Sequence, residues 1–385
     1  MNSRSDDPFW LGVTETLRTD RPLLTIDLAA IAENTWTVKA RTSAEVMAVV
    51  KADGFGHGAE ELARTALGAG ATWLGVTNLD EGLALRRAGF GVRILSWLNA
   101  PGADLRAAAR AGIEVAVPDR ILLGEAASVG QGLAVHLHLD TGMSRGGAGR
   151  EQWADLCAAA QEAELAGRIR VVGVMSHLGR ADDPYAPDNA RSVRRFRDGV
   201  VTAWQAGLRP AVLHLAATAA TLTNPMTHFD LVRIGAGLVG IDPSGTTWLR
   251  GAMTLTAPLV QVQRVEPGTP VGYGHTWHAP TPTQLGLIPL GYADGLPRLA
   301  SDRAEVWLRG RRHRVVGLIS MDQTVIDLAD TPAAPGDTVT LFGPGDRGEP
   351  TVAEWAGWAD TIPHELVTRI GSRVGRRILE PEPAA

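Results

Sequence analysis

The sequence predicts an α/β protein: a (β/α)8 barrel of the TIM type followed by a smaller, mostly antiparallel β domain. Two observations lead there. From Leu23 to about Arg233, short apolar runs alternate with Ala-rich helical stretches. Such a βα repeat builds a parallel sheet, which closes into a barrel when eight or so strands are available. After Pro243-Ser244 the long helical patterns stop, and short β-type runs between Gly and Pro turns continue to Val352.

In order, the strands expected in the first region are Leu24–Leu28, Val46–Val50, Trp73–Val76, Arg93–Ser96, Glu114–Val117, Ala134–Leu139, Val171–Met175, Val212–His214 and Leu231–Arg233. Each is a short run rich in Val, Ile or Leu, as strands buried on both faces are. Between them lie Ala/Leu/Glu/Arg-rich stretches such as Ala59–Leu67, Asp80–Ala88 and Asp104–Ala111, which read as helices. The second region offers Leu259–Val265, Leu285–Pro289, Ala304–Leu308, Val315–Ile319, Thr324–Leu328 and Thr338–Phe342. Turns such as Glu266-Pro267-Gly268 and Pro335-Gly336-Asp337 punctuate them, and a helix near Thr351–Ala359 and a strand near Arg376–Glu380 close the chain. The expected division is an N-terminal extension over 1–22, a barrel over 23–243 and a β domain over 244–385. Phe9-Trp10-Leu11 is the one part of the extension suited to docking.

Bulk properties narrow the function class. At 385 residues, 45% hydrophobic and 21% charged, the chain reads as an ordinary globular protein of about two domains. A net charge of −5 with both signs interspersed gives no reason to expect a nucleic-acid or membrane partner. The cluster Arg309, Arg311, Arg312 and Arg314 reads as a solvated face. A single cysteine, Cys157, allows no intrachain disulfide and suits a reducing cytoplasm. No apolar run reaches membrane-spanning length, Met1 to Asp7 do not form a signal peptide, and no metal is expected.

The chemistry centres on the stretch Val46 to Gly58, VMAVVKADGFGHG. Five apolar residues make a buried strand, and Lys51 follows at its end, where barrel enzymes keep their reactive groups. Burial there disfavours the ammonium form and frees the amine as a nucleophile for Schiff-base chemistry, whose commonest partner is pyridoxal phosphate. Alone, the pattern fits a surface lysine beside a glycine turn equally well.

The whole string resembles the pyridoxal-lysine signature of the alanine racemase family. Further motifs in the expected order extend the resemblance from Leu24 onward. It implies pyridoxal 5′-phosphate as cofactor, held by Lys51. Val271-Gly272-Tyr273-Gly274 resembles the loop carrying the second catalytic base, so Tyr273 inherits that role; read alone it is a turn aromatic. A phenol titrates near 10 and needs help to act as a base. In the family pattern His177 (in Met175-Ser176-His177) hydrogen-bonds the phenol, with Arg233 behind it. Arg233 resembles the arginine facing the pyridine nitrogen; a guanidinium does not readily give up its proton, so the ring stays a weaker electron sink and side reactions are discouraged. Without the resemblance it could pair with an acid at the barrel rim. Gly235-Ala236 with Thr218 resembles the phosphate cradle. Arg145, in Asp140-Thr141-Gly142-Met143-Ser144-Arg145, takes the place of the arginine that touches cofactor and substrate carboxylate, although a loop arginine is commonly just solvated. Met321 and Asp322 match the segment that reaches the partner subunit's site. Tyr292 and Arg298, in Gly291-Tyr292-Ala293-Asp294-Gly295-Leu296-Pro297-Arg298, match a gating motif of the substrate corridor; their plain readings are a turn tyrosine and a surface arginine.

Five positions depart from the family. Phe55 lacks a hydroxyl that members offer the phosphate. His138 stands where a carbamylated lysine often orients the loop arginine, and Ala217 where Asn precedes the phosphate-binding hydroxyl. His364 replaces a tyrosine that limits the substrate side chain, and Leu318 replaces a corridor arginine. The expected function is therefore an alanine racemase-like, two-base proton exchange at Cα by Lys51 and Tyr273, on an amino acid as small-molecule substrate, with a range broader than or different from alanine. The expected active unit is a cytoplasmic homodimer with shared sites. The rival readings are a specialised epimerase, a decarboxylase (disfavoured because no cysteine follows Cys157) and a non-catalytic cofactor-binding protein.

Overall fold

The computed structural model describes residues 20–130 and 132–380. The extension expected over 1–22, including Phe9-Trp10-Leu11, lies outside the described residues up to position 19. Two compact units are formed: one spans Asp27–Ala252, and the other combines Met253–Leu379 with the segment ending at Ile26.

After β1 (Leu23–Asp27), the first unit threads eight strands: β2 (Glu45–Val49), β3 (Trp73–Val76), β4 (Arg93–Ser96), β5 (Ile113–Val117), β6 (Leu133–His138), β7 (Ile169–Met175), β8 (Val212–His214) and β9 (Leu231–Ile234). They are parallel, in the order β8-β7-β6-β5-β4-β3-β2-β9. The two ends meet: Arg233 N donates to Ala216 O at 3.0 Å and Asp230 N to Leu213 O at 3.0 Å, which makes the sheet a nearly closed barrel. β3 and β5 are buried at every residue, as strands walled by helices must be. The helices follow the predicted pattern and carry ordinary start signals. Asn78 accepts from Glu81 N ahead of Leu79–Arg87, and Asp104 from Ala107 N ahead of Leu105–Ala111. The carboxyl ends of all eight strands face one mouth, where loops are free to carry chemistry.

The second unit is built from β10 (Met253–Pro258), β11 (Gln261–Val265), β12 (Pro270–Val271), β13 (Trp277–His278), β14 (Thr283–Ile288), β15 (Glu305–Leu308), β16 (Arg311–Arg314), β17 (Thr324–Ala329), β18 (Thr338–Phe342) and β19 (Gly375–Leu379). One sheet runs β16-β15-β18-β10-β1-β19 and another β11-β14-β17, with β12 and β13 as a small hairpin. The apolar residues Val271, Leu285 and Val316 form a local core.

Two expectations need correction. Leu24–Leu28 is not a barrel strand: β1 pairs antiparallel with β10, Ile26 opposite Met253. Its burial alternates, with Leu24 and Ile26 inside and Leu23 and Thr25 half-exposed, the mark of a sheet with one covered face. Val315–Ile319 is buried but is no strand, because Gly317 at φ 73° turns the backbone. The strand there is β16, the arginine-rich segment read as a solvated face. It lies at a sheet edge and turns only His313 inward, which its charged neighbours tolerate.

Candidate active site

Lys51 leaves the end of β2 and enters an unusual turn. Ala52, Asp53, Gly54 and Phe55 have φ of 52°, 52°, 61° and 56°, one turn of left-handed helix. Only glycine adopts this region freely, so three of the four residues are strained. Glu81 holds the turn: its Oε1 accepts from Ala52 N at 2.8 Å and its Oε2 from Thr77 N at 2.7 Å. The glycine serves a close approach as well, since a Cβ on Gly54 would lie 3.1 Å from Leu62 Cδ2. The Lys51 amine sits 6.0 Å from the centroid of Trp97. Burial lowers its pKa, the cationic Arg145 and Arg233 lower it further, and Glu81 opposes them.

Arg233, on β9, is 5% exposed. One terminal nitrogen donates to Ser176 O at 2.7 Å, to Leu215 O at 3.1 Å and to His177 Nδ1 at 3.2 Å; the other donates to His214 Nδ1 at 3.1 Å. A guanidinium only donates, so His177 accepts through Nδ1 and carries its proton on Nε2, ready to donate onward. Burial, helped by Arg233, pushes His177 down to about 3, so the ring is neutral. His138, at the end of β6, is pushed down to about 4 by burial and Arg233. The loop after it is shaped by Asp140, whose Oδ1 accepts from the N–H groups of Gly142, Met143 and Ser144 at 2.8, 2.9 and 3.2 Å. That loop returns as Ala148 N donates to His138 O, and it leaves Arg145 exposed near the mouth.

Opposite, Gly237 N donates to the buried Thr218 hydroxyl at 3.1 Å. Short helical turns begin at Thr218 and at Ala236, so first-turn N–H groups gather beside Gly235 and Ala236. Phe55 closes this corner: a Cβ on Gly235 would lie 2.5 Å from its Cζ, so ring and backbone are in contact.

Thus Lys51, His138, Arg145, His177, Thr218, Arg233, Gly235 and Ala236 belong to loops and strand ends of one barrel mouth. The remaining predicted residues lie in the second unit. Tyr273 stands on a turn at 73% exposure, beside Leu318. Tyr292 N donates to Ser320 O and Ala293 N to Met321 O, each at 3.0 Å, so the Tyr292 and Met321 loops are one construction. Asp322 pairs with Arg373 at 2.7 Å, and Arg373 also reaches Asp294 at 3.0 Å. His364 lies in the helix Pro363–Thr368, and Arg298 opens a short turn over Arg298–Ala300.

Sequence reasoning missed Glu81, Asp140 and the buried pair His136 and His214. Asp140 had a signal, an Asp followed by Thr-Gly, the pattern of a side chain capping its own loop. The other three depend on which strands become neighbours, and no local pattern shows that.

Residues 26–243 match the family model described as alanine racemase, N-terminal domain, and 252–378 match alanine racemase, C-terminal domain. An alanine racemase of Frankia casuarinae is 47% identical over 368 residues, covering 93% of this chain and 96% of that one. The solved alanine racemase of Streptomyces coelicolor A3(2) superposes with a TM-score of 0.92 at 45% identity, covering 94% of this chain and 98% of its own. The enzyme of Bartonella henselae, solved with covalently bound pyridoxal phosphate, matches with a TM-score of 0.85 at 27% identity, covering 94% and 100%. Both halves of the sequence therefore have their counterparts in one group of proteins: the chain belongs to the alanine racemase family.

Proposed function

We propose that this protein is a pyridoxal 5′-phosphate-dependent amino-acid racemase acting on alanine, with a side-chain pocket open to larger substrates. The observation that carries the reading is the half-buried Lys51 at the end of β2, sharing a barrel mouth with the hydrogen-bonded Arg233–His177 pair, where desolvation lowers the pKa of its amine. The residues present fit the cofactor. Lys51 would hold it, Thr218 with the Gly235–Ala236 backbone would take its phosphate, and Arg145 its phenolic oxygen. Arg233 would face the ring nitrogen; burial lowers it only to about 10, so it stays charged at neutral pH and donates hydrogen bonds without giving up a proton. When bound, the cofactor withdraws electrons from Cα of the amino acid and so weakens its C–H bond.

The chain's own groups then move the proton. Lys51, unprotonated more readily than an ordinary lysine, takes or returns hydrogen on one face of Cα. Tyr273 does so on the other. It reaches the site from the partner subunit, as does Met321, which suits the exposure of both side chains, 73% and 53%. His177 donates its Nε2 proton to the phenolic oxygen and stabilises the phenolate that a base requires. Arg145 and the Met321–Asp322 segment hold the substrate carboxylate, Tyr292 and Arg298 line the approach, and His364 sets the breadth of the side-chain pocket. A homodimer is thus the active unit. The lone, buried Cys157 suits the cytoplasm, where we place the enzyme.

The test is incubation with cofactor and single alanine enantiomers in heavy water. Deuterium at Cα with inversion is expected. Deuterium with retention would mean exchange by one base, and gas evolution would mean decarboxylation; either overturns the reading. A panel of amino acids decides breadth, and turnover of alanine alone would sink the open-pocket part.

A further inference from the structure

We propose that Glu114, at the end of the barrel bore remote from Lys51, is a positioning residue that fixes the proton positions of two buried histidines and through them the aim of Arg233. The proposal uses the racemase reading only for its effect on turnover; the proton positions are testable apart from it.

The hydrogen bonds allow one assignment. Arg233 can only donate, so His214 accepts at Nδ1, 3.1 Å away, and keeps its proton on Nε2. That Nε2 lies 2.9 Å from His136 Nδ1, which must accept, leaving the His136 proton on Nε2. His136 Nε2 lies 2.7 Å from Glu114 Oε2, and a carboxylate accepts there. Arg93 closes the far end, Nε to Oε1 at 2.6 Å and a terminal nitrogen to Oε2 at 3.0 Å. Every proton between Arg233 and Glu114 therefore points away from the active site. With the opposite tautomers, an N–H of His214 would face the N–H of Arg233, and the guanidinium would have to swing away.

The surroundings are built for this arrangement. His136 and His214 are 0% exposed. Their rings meet edge to face, centroids 4.9 Å apart, and Trp73 stands edge-on to His136 at 5.9 Å. Strand β7 makes room with Gly173, where a Cβ would lie 2.1 Å from His136 Nδ1. Arg93 lies 3.6 Å over the Trp73 ring, which braces the outer end. Burial opposes charge on both histidines, against the carboxylate of Glu114 in the case of His136, and so favours the neutral rings, each with one donor and one acceptor nitrogen. Burial also works to raise Glu114, but the hydrogen bonds from His136 and Arg93 outweigh it and leave its carboxyl below the usual value. The acceptor at the end of the line is thus a carboxylate at neutral pH. A cavity of about 150 Å³, lined by Glu114, Gly112, Gly132 and Arg170 among others, lies beside it.

The test is nitrogen NMR of the ¹⁵N-histidine-labelled holoenzyme, wild type against Glu114→Gln and Glu114→Asp, with resonances assigned by single-histidine substitution. The wild type should show both His136 and His214 as Nε2–H tautomers. Glu114→Gln should disturb that pattern and lower kcat by about 10–100-fold, the scale on which outer partners of orienting groups act, with KM little changed. Glu114→Asp should restore the pattern and most of the rate. An Nδ1–H or doubly protonated ring at either position in the wild type refutes the proposal, whether or not the variants fold. An unchanged pattern in Glu114→Gln, or a changed pattern with an unchanged kcat, refutes it too. If the wild type shows the predicted tautomers yet exchanges no Cα hydrogen, the racemase reading fails and the proton assignment stands.

Discussion

Replacing Glu81 with Gln should show how the strained turn after Lys51 is held. Ala52, Asp53 and Phe55 are non-glycine residues in left-handed backbone, at a cost of roughly 1–2 kcal/mol each. Against this strain Glu81 supplies two short hydrogen bonds, to Ala52 N and Thr77 N. They are partly exposed, so each contributes about 0.5–1.5 kcal/mol. Glutamine keeps one acceptor oxygen and loses the charge, so Glu81→Gln should lower stability by about 1–2 kcal/mol, read as a lower urea midpoint at unchanged slope. Ala52→Gly should act in the opposite sense by roughly 0.5 kcal/mol, strain relief partly offset by the flexibility of glycine. In the double variant the cost of losing Glu81 should shrink, because glycine tolerates the turn without the clamp. Equal midpoints for Glu81→Gln and wild type, together with equal cofactor uptake, would show that the carboxylate does not hold the turn.

Other outcomes follow from the same geometry. Lys51→Ala should abolish the absorbance of lysine-bound cofactor, whereas Tyr273→Phe should keep it and lose racemisation by several orders of magnitude, measured by polarimetry. Phe55→Tyr should place a hydroxyl beside Gly235 and Ala236 and tighten cofactor binding about tenfold, as one added hydrogen bond to a charged group does; fluorescence titration of the apo protein measures this. His177 and His138 sit at about 3 and about 4 in the folded protein, against about 6.5 unfolded. The unfolded chain binds more protons across that window, so stability rises with pH through it and is lost as pH falls from about 6.5 toward 3. The melting temperature of the apo protein should track that loss, and changing both residues to Gln should make it shallower, the buried His136 and His214 supplying part of the remainder.

The parts of the fold that the sequence disclosed are those where a short segment carries its own explanation. Trp73–Val76 and Arg93–Ser96 are continuous apolar or near-apolar runs between helices, and their boundaries fall where the runs end. β1 was assigned to the wrong unit because Leu24 and Ile26 would suit either sheet; only its pairing with Leu255 and Met253 decides. β10 was overlooked because Met253–Pro258 mixes threonines with apolar residues and ends on proline. The site divides the same way. Lys51, His177 and Arg233 sit in recognisable strings, and the barrel mouth gathers them. Glu114, His136 and His214 lie on three different strands, and their hydrogen bonds span 22 and 78 positions along the sequence. Such contacts arise only once the barrel closes.

The position of β1 bears on the order in which a ribosome can complete this protein. β1 lies between β10 and β19 in its sheet, yet it is made more than two hundred residues before either. The barrel can therefore assemble as it emerges, while Leu23–Ile26 waits with its edges open for partners not yet translated. Ile26 sits opposite Met253, so the barrel begins and ends at neighbouring points, as an inserted domain does. A fragment starting at Met253 would lack the strand that joins β10 to β19, and adding back a peptide covering residues 20–27 should raise its solubility.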